Sequence, residues 1–364
     1  MSKLTKHYST GILMATWMEP VAAGRIQQAC STTGKHRKGY ADPLNYIVMD
    51  LEWNQCPYGK KQEDPRMPFE IIEIGAVKLD PSLREVSTFH ETIRPILYRT
   101  LHHMTRSVIH MTEKDFQGRR TFPQVFADFL IWCGADPVFC TWGPGDLTEL
   151  QRNVRWHLDH GYLTGRWPFP FPFLFRDAQK IFSHVYEDGH ARRSLEWAVE
   201  YLHIEKTREF HDAFADAWYT AKIFAMLPAE SIQKMTSVDT YITPHKKSEE
   251  VLIRYDTYTK YISRAFHDRD AVMKDRSVTA TICHVCGKKI RKKIRWFSDN
   301  SRNYLCVAEC PEDGLMKGKA RIRQNADGDW YAVKTTRMIT EEELDLVKKK
   351  QETQRTRRRI HRMS

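Results

Sequence analysis

The chain has 364 residues, 41% of them hydrophobic, which is long enough for two or three domains with buried cores. Its 57 Lys and Arg against 46 Asp and Glu leave a formal charge of +11, a surplus that favours polyanionic partners, nucleic acid before an anionic membrane surface. No run of about 18 apolar residues occurs, which excludes an ordinary membrane-spanning helix, and Met1–Gly34 lacks the apolar core and cleavage site of a secretory leader.

Residues 1–43 show weak periodicity with Gly, Ser, Thr and Pro scattered through them, and are expected to form a loosely ordered extension. From residue 44 to 228 the pattern is that of an α/β domain. Strand-like runs occur at Tyr46–Trp53, Glu70–Leu79, Val86–Pro95 and Pro137–Trp142, and the short links between the first three predict an antiparallel meander. Helical periodicity covers Phe122–Cys133, Leu147–His160, Ser194–His203 and Ala213–Leu227, while Phe169–Phe175 alternates Phe with Pro and reads as extended. Residues 229–278 look polar and largely helical, a connector. Residues 279–340 hold clustered cysteines and a hairpin-turn signal, Asp327-Gly328. Residues 341–364 read as a basic helical tail: from Val347 onward there are eight Lys or Arg and one Glu.

Three places along this chain carry acids in unusual settings. In Tyr46-Ile47-Val48-Met49-Asp50-Leu51-Glu52-Trp53, strand alternation puts Asp50 and Glu52 on one face and Ile47, Met49 and Leu51 on the other. Two carboxylates side by side at the end of an apolar strand repel each other and resist desolvation, unless the strand end enters solvent or a hard divalent cation sits between them. In Phe210-His211-Asp212-Ala213-Phe214-Ala215-Asp216, Asp212 is an N-cap, and the stripe Ala213, Asp216, Ala217, Thr220, Phe224 places Asp216 on a small-residue face that should pack on the sheet. Asp216 there needs a cation, either a metal or an Arg such as Arg192 or Arg193; His211, beside it, suits general-base work at neutral pH. In Thr141-Trp142-Gly143-Pro144-Gly145-Asp146, Asp146 opens a helix just after a strand. It is either an N-cap or a site residue, since α/β sites assemble at such turns.

Taken together, the order Asp-x-Glu, then Asp at a strand–helix turn, then His-x-x-x-x-Asp resembles the DEDDh exonuclease superfamily, over about Asn45 to Leu227. Glu70-Ile-Ile-Glu-Ile-Gly-Ala-Val77, Thr121-Phe-Pro-Gln-Val125 and Ser194-Leu-Glu-Trp-Ala198 look like its KapD-like and ERI-type branch, which is associated mainly with RNA 3′ ends. Where many relatives carry Leu-Thr-Gly-Ile-Thr against the terminal nucleotide, this chain has Ile109-His110-Met111-Thr112. The resemblance implies a ribonuclease-H-like mixed sheet flanked by helices and a metal-dependent 3′–5′ exonuclease acting on a single-stranded 3′ end, RNA more than DNA. A DNA repair exonuclease would share the same residues, and an inactive nucleic-acid-binding regulator would have lost some of them. It implies that Asp50, Glu52, Asp146 and Asp216 hold two Mg²⁺ or Mn²⁺ ions, Asp50 bridging both, and that His211 takes the proton of the attacking water. The products are then nucleoside 5′-monophosphates. Trp53 offers a face to the terminal base, or simply packs at the strand end.

The eight cysteines fall in two groups. Cys30, Cys56, Cys133 and Cys140 are scattered and read as buried free thiols of a cytoplasmic protein. Cys283-x₂-Cys286 and Cys306-x₃-Cys310 suit one tetrahedral Zn²⁺ in a small zinc-ribbon-like domain, with His284 outside the ligand set. Lys292 and Arg295 beside Trp296 suggest that this ribbon grips a nucleic-acid strand, the alternative being a purely structural brace.

Overall fold

The computed structural model describes residues 45–109, 111–189 and 191–363. The extension expected at 1–43, Cys30 and His110 lie outside them. The first sheet contains β1 (Tyr46–Gln55), β2 (Phe69–Leu79), β3 (Glu85–Thr92), β4 (Val138–Thr141), β5 (Leu174–Asp177) and β6 (Thr236–Val238), in the order β3-β2-β1-β4-β5-β6. β1, β2 and β3 form the expected antiparallel meander; β4 and β5 run parallel to β1, and β6 returns antiparallel to β5. This mixed sheet has the ribonuclease-H-like arrangement. Its helices are α1 (His103–Val108), α2 (Phe122–Cys133), α3 (Gly145–Asp159), α4 (Ala178–Tyr186), α5 (Leu195–Tyr201), α6 (Ala213–Met226) and α7 (Ala229–Lys234).

Local signals set the helix starts. Thr121 and Gln124 close a capping box on α2, Asp177 caps α4, Ser194 caps α5 and Asp212 caps α6. The alternation of β1 then decides the layers. Ile47, Met49 and Leu51 face α2 and α3 in one core, with Phe122, Phe126, Phe129, Leu147 and Leu150. Tyr46 and Val48 face α4 and α6 in the other, with Ile181, Ala221 and Phe224. The second face is the one that carries Asp50 and Glu52.

The segment 229–278, expected to be largely helical, is different in the structure. It supplies β6 to the first sheet, and β7 (Val251–Arg254) and β8 (Tyr258–Ile262) to a second, followed by two short helices, α8 (Arg269–Lys274) and α9 (Arg276–Thr279). These strands are short and only half-buried, so their polar exposed positions dilute the two-residue alternation by which a strand is read from sequence. The second sheet continues with β9 (Arg291–Ser298), β10 (Asn303–Cys310), β11 (Gly314–Gln324) and β12 (Trp330–Met338), in the antiparallel order β7-β8-β12-β11-β10-β9. The Asp327-Gly328 turn joins β11 to β12, Gly328 at φ +88°. The final helix α10 (Glu341–Met363) lays Leu344 and Val347 on Ile294, Phe297, Leu305 and Val307. The two sheets meet where Val238 of β6 packs with Val251, Ile262 and Tyr331, and where the Tyr255 hydroxyl donates to the Thr236 carbonyl at 2.7 Å.

One close approach fixes where α6 crosses the sheet. Gly75 in β2 lies opposite Asp50 in β1, and a Cβ there would fall 2.1 to 2.2 Å from backbone atoms of Ala213 and Phe214. Gly75→Ala must push the start of α6 off the sheet. It is expected to cost about 3 kcal/mol or more in a urea unfolding experiment, and to weaken any function that depends on Asp216; a variant within about 0.5 kcal/mol of the parent would refute this packing argument.

Candidate active site

Asp50 and Glu52 lie on β1 just beyond Val48, the last residue paired with β4. A register shift between Glu52 and Trp53 bends the strand at that point. Asp146 sits in the first turn of α3; the N-cap is Pro144, so Asp146 does not cap the helix, and it is buried. Asp216 is in the first turn of α6. The structure therefore brings the four acids expected from the sequence to one place. Donor atoms of Glu52, His211 and Asp216 lie within 4.8 Å of one another.

The acids repel one another in a poorly solvated setting. Burial first, then the charges of Asp146, Asp216, Glu52 and Glu73, drive the Asp50 carboxyl well above its ordinary range. Burial, with Asp216 and Glu73 next, pushes Glu52 up to about 8. Burial lifts Asp146 to about 7, opposed by the backbone N–H groups of Asp146 and Leu51, and lifts Asp216 to about 6, opposed by the backbone N–H of His211. Arg193 is no partner for Asp216, since it pairs with Glu187 at 2.7 Å, and Arg192 lies by Asp177 and Lys180. Asp216 accepts the His211 N–H on Oδ2 at 3.3 Å, while its buried Oδ1 has no hydrogen-bond partner. Such a set of oxygen donors, with one buried oxygen unpaired, fits hard divalent cations.

His211 is exposed and its backbone stands at φ +66°, a left-handed conformation that costs a non-glycine residue about 1 kcal/mol or more. Asp212, whose side chain accepts the Ala215 N–H at 2.8 Å, and the packing of α6 hold it there. Beside it is a pocket of about 320 Å³ lined by Glu73, Ile109, Met111, Arg208, Glu209, His211, Asp212 and Ala215. Ile109 and Met111 thus border this pocket.

Three neighbours of the site were not found in the sequence. Glu73 of β2 is fully buried opposite Glu52 in register; it meets His90 Nε2 at 2.5 Å and accepts the Ala213 N–H at 3.2 Å, tying the start of α6 to the sheet. Its signal was an acid flanked by Ile72 and Ile74 in the middle of β2. His90 stacks on Phe214 at 5.4 Å. Arg208 lies over the rings of Phe214 and Trp218, 4.8 and 5.1 Å from their centres, with its backbone N–H donated to the Tyr219 hydroxyl. Trp53 is half-buried with its ring 5.7 Å from that of Phe69.

One C-terminal expectation needs correction. Cys306 does not join the other cysteines. It and Cys310 lie on the same continuous strand, β10, where four residues span roughly 13 Å, too far to share an ion. Cys306 is buried beside Trp296 and the Gly318 backbone instead, and burial pushes its thiol up to about 12. The fourth member of the cluster is Asp313: donor atoms of Cys283, Cys286, Cys310 and Asp313 all lie within 4.8 Å. Trp296 is half-buried, its indole N–H donated to the Thr279 carbonyl at 3.0 Å. Arg295 is exposed and Lys292 half-buried on the same strand. His284 stays out of the set, its Nε2 2.9 Å from the Asp256 carbonyl.

A mixed sheet of this order, with four carboxylates and a histidine gathered where β1 and β4 part, is the arrangement expected of a DEDDh exonuclease site. Among solved structures, the chain is similar to the nuclease domain of 3'hExo, a DEDDh family member bound to rAMP (21% identity over 54% of this chain and 96% of that one, TM-score 0.44). It is also similar to cell-death related nuclease 4 (18%, 58% and 69%, TM-score 0.44) and to E. coli Exonuclease I in complex with an oligonucleotide (13%, 72% and 54%, TM-score 0.40). No curated protein matched the sequence. The RNase_T exonuclease family model matches residues 47–224, and this span of the chain is similar to the exonuclease domain of that family.

Between the ordinary carboxylate range and its own raised value, each of these carboxyl groups keeps a proton in the folded chain that the unfolded chain has released. Their contribution therefore weakens as pH rises through the shifted values, unless a cation replaces the protons. The gap between melting midpoints in Mg²⁺ and in EDTA is expected to widen from about pH 5 to 7.5, and Asp50→Asn to raise the EDTA midpoint at about pH 7.5. An EDTA midpoint lowered by Asp50→Asn would show that mutual repulsion does not govern the site.

Proposed function

We propose that this protein shortens nucleic acid from a free 3′ end, single-stranded RNA in preference to DNA, releasing nucleoside 5′-monophosphates in the cytoplasm. The observation that carries the reading is the convergence of Glu52, His211 and Asp216 within 4.8 Å, with the buried Asp50 pushed up by the charges of Asp146, Asp216 and Glu52. The basic surplus and the branch resemblance favour a polyanionic RNA strand. Seven free thiols among the described residues suit a reducing compartment. Among the described residues no helix is long and apolar enough to cross a membrane.

Two Mg²⁺ or Mn²⁺ ions held by Asp50, Glu52, Asp146 and Asp216 would supply positive charge at the scissile phosphate and acidify the attacking water. The chain does the rest. His211, exposed at the pocket rim, takes the proton from that water on an imidazole nitrogen. Arg208, at the same pocket, offers its guanidinium to a phosphate. Glu73, through its bond to the Ala213 N–H, holds the first turn of α6 and so the position of Asp216. Trp53, Arg295 and Lys292 are candidates for contacts further along the strand.

A 5′-labelled RNA strand and a DNA strand of the same sequence test this together. With Mg²⁺ the RNA is expected to give a ladder shortening from the 3′ end, faster than the DNA and absent with EDTA. Asp50→Ala and Asp216→Ala are expected to abolish it with the fold intact. His211→Ala should lower the rate by about 10²- to 10⁴-fold. Binding without shortening would overturn the enzymatic reading; faster digestion of the DNA would overturn the RNA preference.

A further inference from the structure

We infer that Cys283, Cys286, Cys310 and Asp313 bind one Zn²⁺ ion at the end of the second sheet, the carboxylate completing the set that Cys306 does not. The inference is independent of the exonuclease reading.

The spacings match a metal cage. Zinc at about 2.3 Å from sulfur and about 2.0 Å from a carboxylate oxygen requires tetrahedral S···S separations of roughly 3.8 Å and S···O separations of roughly 3.5 Å. Cys286 Sγ lies 3.7 Å from Cys310 Sγ, and Asp313 Oδ2 lies 3.2 Å from both Cys283 Sγ and Cys310 Sγ. Three thiolates select a soft ion over Mg²⁺ or Ca²⁺.

The backbone is shaped for the same purpose, as two turns of equal length. Cys283-x₂-Cys286 closes with the Gly287 N–H on the Cys283 carbonyl at 3.1 Å and the Val285 N–H on the Cys283 sulfur at 3.3 Å, Gly287 standing at φ +75°. Cys310-x₂-Asp313 is the turn from β10 into β11, where Cys310 pairs with Gly314 at φ +89°. Both turns present a first and a fourth residue to one point. The Cys283 turn also rests on the β7–β8 hairpin, since Arg254 donates to the Val285 carbonyl at 3.2 Å. One ion would therefore tie together chain segments that the hydrophobic clusters join only weakly.

The test is made on the full-length chain. Metal analysis is expected to find zinc, and Co²⁺ exchange to give a thiolate-to-metal charge-transfer band, which an ion at the carboxylate site cannot produce. Cys306→Ala should keep both signals unchanged. Asp313→Ala should weaken zinc binding at least ~10-fold, and Asp313→Cys, should the alanine variant fold poorly, should retain the metal and strengthen the cobalt band by a fourth thiolate. A parent chain without zinc, loss of the band in Cys306→Ala, or full affinity in Asp313→Ala with an unchanged band in Asp313→Cys would each overturn the assignment.

Discussion

Like charges do not gather in a protein interior unless something forces them to, and the first sheet is organised around one such gathering. Asp50, Glu52, Asp146 and Asp216 come from two strand positions and two helix starts, and Glu73 adds a fifth acid across the β1–β2 ladder. Burial costs each of them hydration, and each charge makes the next harder to keep. The surrounding structure over-determines the arrangement. Gly75 lets the backbone of α6 come nearly into contact with β2, the Ala213 N–H seats on Glu73, and Asp212 caps the helix. With these contacts in place Asp216 is held beside Glu52, so the repulsion between them is built into the fold. The strained backbone at His211 belongs to the same economy: it is an unfavourable local conformation at the rim of the site, held by α6.

The second sheet shows a different solution to a small core. Its strands are half-exposed, its apolar contacts are divided among small clusters, and α10 covers only one end. Polar interactions take up part of the burden. Lys334 is buried and donates to the carbonyls of Ser277, Val278 and Ala280, closing the end of α9. Burial depresses it to about 8, which is tolerable because all three of its hydrogen bonds are made. A metal at the Cys283 turn fits this pattern of stapling a sheet that hydrophobic area alone would hold loosely.

The two sheets are also joined through chain that reads as a featureless connector. β6 completes the edge of the first sheet and β7 and β8 complete the edge of the second, so 229–278 belongs to both. Contacts such as Asn325 with Thr243 at 2.9 Å bring the β11–β12 turn onto the loop that follows β6. Polar, short strands of this sort form because neighbouring strands already present unpaired edges, a condition that local sequence does not report.

What the sequence decided alone was the set of residues whose meaning is local: the alternation that put Asp50 and Glu52 on one face, the cap at Asp212 with Asp216 one turn on, and the Asp327-Gly328 turn. From these the order of acids and the α/β layering could be read. Tertiary structure alone decided which distant residues meet. Glu73 joined the acids through strand register, Arg208 reached the pocket beside α6, His90 met Glu73 and Phe214, and Trp296 packed where Gly318 leaves room for its ring. Cys306 was excluded, and Asp313 admitted, by the difference between an extended strand, in which four residues span some 13 Å, and a tight turn, which brings its first and fourth residues to the same point.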